Sequence, residues 1–176
     1  SWHGIRHLHC AMVFRLLQTG IEQIIDNVQL PLAMMKRLFD LFVSAGVAVL
    51  LIVPCAIIAI LVKLTSPGPI LFWSDRVGRN NHIFRMPKFR SMAVGTPAVA
   101  THLLANADVY LTPIGSFLRK SSLDELPQLW SIIRGDMSFV GPRPALYNQL
   151  DLIALRTQHG VQALVPGLTG WAQING

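Results

Sequence analysis

Between Asp40 and Lys63 the chain reads LFVSAGVAVLLIVPCAIIAILV, 22 residues without a charged side chain. No other stretch limits the possible folds so sharply. At about 1.5 Å of rise per residue, a helix of this length matches the roughly 30 Å hydrocarbon core of a bilayer. A crossing helix is therefore the first reading, and two features argue against it. Pro54 lies in the second half of the run, where it removes a backbone hydrogen bond and crowds the preceding turn, at about 3 kcal/mol in a helix interior. A bend is expected there. Both flanks are also basic, with Lys36 and Arg37 before the run and Lys63, Arg76, Arg79, Arg85, Lys88 and Arg90 after it. The positive-inside tendency then assigns both ends to the cytoplasmic side. A re-entrant helix-break-helix that dips into one leaflet and returns satisfies both flanks, provided protein or interfacial water covers the backbone freed at Pro54. A bitopic anchor with a proline kink is the competing reading. A secretory signal peptide is disfavoured, because the run is too long and starts some 40 residues into the chain.

The rest of the sequence is oily as well, with 52% hydrophobic and 14% charged residues among 176, so part of its surface is expected to meet lipid. The net charge of +6 favours anionic partners without choosing among phospholipid, nucleotide and nucleic acid. No nucleic-acid partner is expected, since neither a binding motif nor an aromatic-interleaved basic surface accompanies the charge. Cys10 and Cys55 have no metal-ligand or CxxC spacing and read as free thiols in a reducing compartment. His3, His7 and His9 cluster with Cys10 but without a neighbouring Asp or Glu, and a metal site is not expected there. Ile21, Ile24, Ile25 and Val28 follow helical spacing opposite Glu22 and Asp26, as in a surface-lying amphipathic helix. Met34, Met35, Lys36 and Arg37 resemble a start of translation, so residues 1–35 read as an N-terminal extension, either an interfacial helix or a segment upstream of the native start.

After the apolar run, Pro67, Gly68 and Pro69 end the helix and Ile70 to Trp73 carry strand-forming side chains. Gly78, Asn80 and Asn81 tolerate positive φ, and HIFRMPKF returns as a second strand. The product is a β-hairpin whose Arg76, Arg79, Arg85, Lys88 and Arg90 form either a solvated face or a phosphate cradle. Pro87 restricts its neighbours Lys88 and Arg90, making them the better candidates for a fixed role.

The densest chemistry lies in SSLDELPQLWSIIRGDMSFVGPRP, Ser121 to Pro144. Ser122 to Glu125 match an S-x-x-E capping box, while Pro127 fits better if Asp124 is the N-cap. Either placement puts Asp124 and Glu125 at the positive end of a helix, where their pKa values are expected to fall. An ionised carboxylate can act as nucleophile or magnesium ligand. Leu126, Leu129, Trp130 and Ile133 share a face suited to packing, and Gly135 ends the helix. Pro142 and Pro144 pin the backbone around Arg143, so its guanidinium loses little entropy on pairing with phosphate. Paired carboxylates, a stiff Arg turn and a membrane element together suggest a diphosphate brought to a lipid phosphate, with Mg2+ as third party.

These segments, with KRLFDL, SPGPILF, RVGRNNHIFRMPKFRSM and VPGLTGWAQING, resemble the bacterial sugar transferase family, the monotopic phosphoglycosyl transferases, over residues 36–176. The resemblance implies transfer of a sugar 1-phosphate from a UDP-sugar to undecaprenyl phosphate, at the cytoplasmic face of the bacterial inner membrane. It makes Asp124 the nucleophile, Glu125 a catalytic Mg2+ ligand, and Arg143, Lys88, Arg90 and Arg119 substrate-binding residues. It also implies a bilayer-bound α+β chain, mostly helical with a small hairpin. Residues 36–63 would form the re-entrant helix broken at Pro54, and 64–176 a cytoplasmic catalytic domain that stops short of the family's usual C-terminal extent. The favoured donor is an N-acetylhexosamine or deoxy-amino sugar, with galactose or glucose as alternative, and residues 95–113 are the stretch expected to tune it. The competing function is recognition of anionic lipid without catalysis.

Overall fold

The computed structural model describes residues 2–97 and 107–175, with side chains from Pro31 onward except at 107 and 172. The side-chain expectations for His3, His7, His9, Cys10 and the Ile21–Val28 face lie outside the described residues, as do residues 98–106 of the 95–113 stretch. The chain divides into two compact units, Ser1–Phe39 and Asp40–Gly176, and the second carries all that follows.

Helix α1 (Trp2–Thr65) includes Pro54 without interruption. The break expected at Pro54 is thus not a break in helical backbone. A proline withholds one donor, and a helix held by packing along one face tolerates that loss. The packing is visible in the side chains. Val47, Ala48, Leu51, Cys55, Ile58, Ala59 and Val62 turn toward the domain, whereas Phe42, Val49, Leu50, Val53, Ile57, Ile60 and Leu64 are exposed. The buried set recurs every three or four residues, which is the spacing of one helix face. The other face is as apolar and is left exposed by the described residues. Pro31–Thr65 is the one helix, among the described residues, long and apolar enough to cross a membrane.

Strands β1 (Leu71–Val77) and β2 (Ile83–Phe89) form the expected hairpin, with Leu71 opposite Phe89 and Val77 opposite Ile83. Asn80 and Asn81 take left-handed φ values of 55° and 59° at its tip, as their short polar side chains permit. Pro87 lies within β2, and β2 is an edge strand in the order β2-β1-β4, where β4 is Ala145–Leu146, so its missing donor deprives no neighbour. Short helices α2 (Gly115–Lys120) and α3 (Leu129–Arg134) flank a 3-10 turn, Leu123–Gln128. Strand β3 (Ser138–Val140) runs parallel to β5 (Gly167–Thr169), and α4 (Leu150–Gln158) and α5 (Trp171–Asn175) complete the unit.

Two apolar clusters hold these pieces together. Phe84 and Met86 of β2 meet Leu129, Ile132 and Met137, while Phe89 meets Ile58, Val62 and Leu118. Each fully buried aliphatic or aromatic side chain contributes roughly 1.5–3 kcal/mol. Helix α3 buries Leu129, Ser131 and Ile132 rather than the expected face through Trp130, which is exposed. Six residues are too few for periodicity to choose a face, and the neighbouring strand chooses it instead. Gly135 does end the helix, at φ 98°, its N–H reaching the carbonyls of Ser131 and Ile132.

Candidate active site

The candidate site gathers around a tight reversal. Ser121 caps α2 and donates its hydroxyl to the Phe117 carbonyl at 2.7 Å. Ser122 then takes a left-handed φ of 57°, and the chain enters the 3-10 turn carrying Asp124 and Glu125. The expected capping box does not form, because an N-cap needs extended backbone and the Ser122 side chain makes no capping bond. Pro127, without an N–H, cannot close the α-helical bond to Leu123, and the run stays 3-10 up to Gln128.

Released from capping, Glu125 turns toward the hairpin. Its Oε1 accepts from Lys88 Nζ at 2.6 Å and from an Arg143 guanidinium nitrogen at 3.1 Å. Lys88 gets there by strand alternation. In the antiparallel register it shares a face with Phe84 and Met86, and those two side chains pack on α3. Arg143 gets there from the loop after β3. That loop is fixed by close backbone approach, since the Gly141 N–H reaches the Thr169 carbonyl at 2.9 Å and the Gly167 N–H reaches the Pro142 carbonyl at 2.9 Å. A Cβ at Gly167 would lie 2.1 Å from the Gly141 nitrogen, so no larger residue fits. Arg156 donates to the Arg143 carbonyl at 2.7 Å and closes the loop from α4.

The two carboxylates, adjacent in sequence, are pushed in opposite directions. Burial pushes the Asp124 carboxyl up, and Glu125 adds to this, while Lys88, Arg119 and the residue's own backbone N–H oppose it without winning. For Glu125 burial also acts upward, but the contacts with Lys88 and Arg143 outweigh it and hold the carboxyl below its usual range. The expectation that a helix start lowers both therefore fails for Asp124, and for Glu125 the direction agrees but the cause is Lys88 and Arg143 rather than the helix start. Asp124 is only 8% exposed, and a six-residue 3-10 turn offers little dipole to offset its desolvation.

The structure thus brings Asp124, Glu125, Lys88 and Arg143 together, with Arg119 close enough to act on Asp124. Arg119 also points a guanidinium nitrogen at Met92 Sδ, 3.2 Å away. Arg90 is placed elsewhere. It is 4% exposed and donates to the carbonyls of Ser66 and Pro67 at the end of α1. Arg85 stacks over Trp73 at 5.3 Å. Sequence reasoning named Arg76 only as one of five basic hairpin residues for a solvated face or a phosphate cradle; its guanidinium interacts with both Arg143 and Glu125. The hairpin register held the signal, because Arg76 and Lys88 fall on the same face.

No three His, Cys, Asp or Glu side chains gather as metal ligands among the described residues. Mg2+ does not require such a cage; it commonly takes one or two carboxylates and completes its shell with substrate phosphates and water. Glu125 fits that role, since among the described residues its cation contacts all fall on Oε1.

Two carboxylates bordered by Lys88, Arg119, Arg143 and Arg76, beside a helix with one bare apolar face, make a site suited to phosphate chemistry at a lipid surface. The chain matches the bacterial sugar transferase family over residues 32–176, and it belongs to that family. An undecaprenyl-phosphate glucose phosphotransferase of Komagataeibacter xylinus is 41% identical over 152 residues, which make up 80% of this chain and 28% of that protein. A UDP-N-acetylgalactosamine-undecaprenyl-phosphate N-acetylgalactosaminephosphotransferase of Aeromonas hydrophila is 36% identical over 176 residues, 97% of this chain and 38% of that protein. The exopolysaccharide production protein PSS of Rhizobium leguminosarum bv. phaseoli is 38% identical over 152 residues, 81% of this chain and 74% of that protein. The chain spans about a third of the length of the first two relatives.

Proposed function

We propose that this chain carries the catalytic centre of a phosphoglycosyl transferase, which moves a sugar 1-phosphate from a UDP-sugar to undecaprenyl phosphate. One observation carries the reading: Asp124 is buried beside Glu125, and Glu125 is held by Lys88 and Arg143 from two distant parts of the chain. The activities named for the Komagataeibacter and Aeromonas relatives point the same way.

In the first step an Asp124 carboxylate oxygen attacks the β-phosphorus of the donor. The bond from that phosphorus to the bridging oxygen breaks, its electron pair leaves with UMP, and the sugar phosphate stays on Asp124. In the second step an oxygen of undecaprenyl phosphate attacks the same phosphorus and Asp124 leaves as a carboxylate, giving the diphosphate-linked sugar. Lys88, Arg119 and Arg143 hold phosphate oxygens and balance the charge that develops on them, which is most of what phosphoryl transfer asks of a protein. Mg2+, held by Glu125, would add charge neutralisation at the diphosphate. Arg90 is given the task of bracing the strand that carries Lys88.

The donor is proposed to be an N-acetylhexosamine or deoxy-amino sugar, against glucose and galactose. The membrane placement is proposed as α1 set against the bilayer by its exposed apolar face, with the catalytic unit on the cytoplasmic face of the inner membrane. It is supported by the exposed Phe42, Val49, Leu50, Val53, Ile57, Ile60 and Leu64 of α1, opposite the face that packs on the domain. The product would be the first lipid-linked intermediate of a polysaccharide or other glycoconjugate. The test is UMP release from a panel of UDP-sugars by the detergent-solubilised protein with Mg2+ and undecaprenyl phosphate. Release with one preferred sugar, abolished in Asp124→Asn, is the expected result. Absence of release from every donor by folded protein would return the chain to the anionic-lipid reading.

A further inference from the structure

Arg76 stands out among the cations of the site. Its Nε donates to the buried Ser74 hydroxyl at 3.0 Å and a terminal nitrogen to the Pro144 carbonyl at 3.3 Å. Both acceptors are neutral. The ion pairs of the site go to Lys88 and Arg143, and among the described residues no carboxylate lies within ion-pair distance of Arg76. Burial and the neighbouring Arg143 push the Arg76 guanidinium down to about 10, and Glu125 recovers only part of this. A half-buried guanidinium beside a second one, with neutral acceptors alone, is an expensive arrangement unless an anion completes it.

The two guanidinium-bearing residues also share one small cleft, which Arg76, Arg143, Gln128 and Pro144 line together with Met86, Gly167 and Leu168. Around Glu125, Arg76 joins Lys88 and Arg143 as a third cation. The surplus matches a phosphate dianion, and two guanidinium forks are the side chains best shaped to hold one.

We propose that the cleft between Arg76 and Arg143, lined by Gln128, is a phosphate subsite beside Glu125 that binds a substrate's phosphate monoester or diphosphate. This rests on the reading of the site as a phosphoglycosyl transferase. Two sources supply the same chemistry there, the nucleotide diphosphate of the donor and the monophosphate of the lipid acceptor. If the two half-reactions occur at one centre, a single subsite can serve them in turn.

The test is binding, which keeps it separate from turnover. Affinities of the detergent-solubilised protein for inorganic phosphate, UMP and farnesyl phosphate are measured by titration calorimetry, for the natural chain and for Arg76→Met. Arg76→Met is expected to bind inorganic phosphate at least about tenfold more weakly, with thermal stability of the ligand-free protein held or raised. Loss confined to UMP assigns the subsite to the donor, loss confined to farnesyl phosphate assigns it to the acceptor, and loss of both makes it shared. Unchanged affinity for all three probes overturns the proposal. Should Arg76→Met not fold, Arg76→Lys decides: a two-pronged site loses affinity severalfold on this change, and a bracing role leaves it at the natural value. Asp124→Asn, which stops turnover under the proposed function, is expected to keep the phosphate response, so a failure of the catalytic reading is distinguishable from a failure of this one.

Discussion

Two cations leave the end of β2 two residues apart, Lys88 and Arg90, and they serve different surroundings. Lys88 meets the Glu125 carboxylate at 2.6 Å, in a pair that an incoming phosphate can reorganise. Arg90 is more deeply buried and meets backbone carbonyls at the end of α1, which neither move nor carry full charge. Both stand in the same run, PKFR. What separates them is the element opposite, a carboxylate-bearing turn in one case and a helix end in the other. Charge near a site is therefore a weak guide to role, and the identity of the partner is a strong one.

The largest effect that can break this comparison is at the carboxylate turn itself. Asp124→Asn is expected to lower UMP release at least about a thousandfold, and also to raise the melting temperature, because it removes a carboxylate whose ionised form burial disfavours. A variant that is inactive and also less stable would mean that Asp124 is chiefly a structural residue.

Next come the two cations. Lys88→Met is expected to lower kcat/KM roughly a hundredfold. Arg90→Met should cost roughly 3 kcal/mol of stability through its lost hydrogen bonds and change kcat/KM per folded molecule less than about tenfold. Steady-state kinetics normalised to folded protein, with calorimetric melting, reads both. Equal kinetic losses would erase the distinction between the two residues.

The pH dependence sharpens the contrast inside the turn. Asp124 holds its proton in the folded chain at pH values where the unfolded chain has lost it, so its contribution makes stability fall as pH rises from the unfolded pKa through the higher folded one. Glu125 acts in the reverse sense: its stabilising contribution is present above the unfolded pKa and is lost as pH falls through the lower folded value. The acid limb of the kcat/KM profile is accordingly expected above the usual Asp pKa of about 3.9. Melting curves should lose the Asp124 slope in Asp124→Asn and the Glu125 slope in Glu125→Gln.

The smallest effect is expected at Arg85, which lies over Trp73 and outside the cluster. Arg85→Ala should cost about 0.5–1 kcal/mol of stability and change UMP release less than about twofold.

Much of this was legible in the chain. The apolar run, the hairpin with its Asn80–Asn81 tip and the stop at Gly135 follow from local rules, because each depends on residues a few positions apart. The nearness of Asp124 and Glu125 to Arg143 came from a motif rather than from spacing. Long-range pairing escaped: that Glu125 would turn to Lys88 instead of capping its own turn, and that Arg90 would be bound to Ser66 and Pro67, depends on what tertiary contact sets opposite each side chain. The fall expected for the Asp124 pKa failed for the same reason, since desolvation is a property of the packed site. Arg76 was within reach, because hairpin register alone places it on the face of Lys88.

One consequence follows from the way α1 lies on its domain. Val47 to Val62 supply one wall of both apolar clusters, and the Arg90 guanidinium fastens the end of the same helix two residues from Lys88. The anchor is therefore not a detachable tether. A version lacking everything before Ser66 would keep the carbonyl acceptors of Arg90 but strip Phe84, Phe89 and Leu118 of their cover, so trimming the apolar helix for solubility is expected to cost the domain its fold.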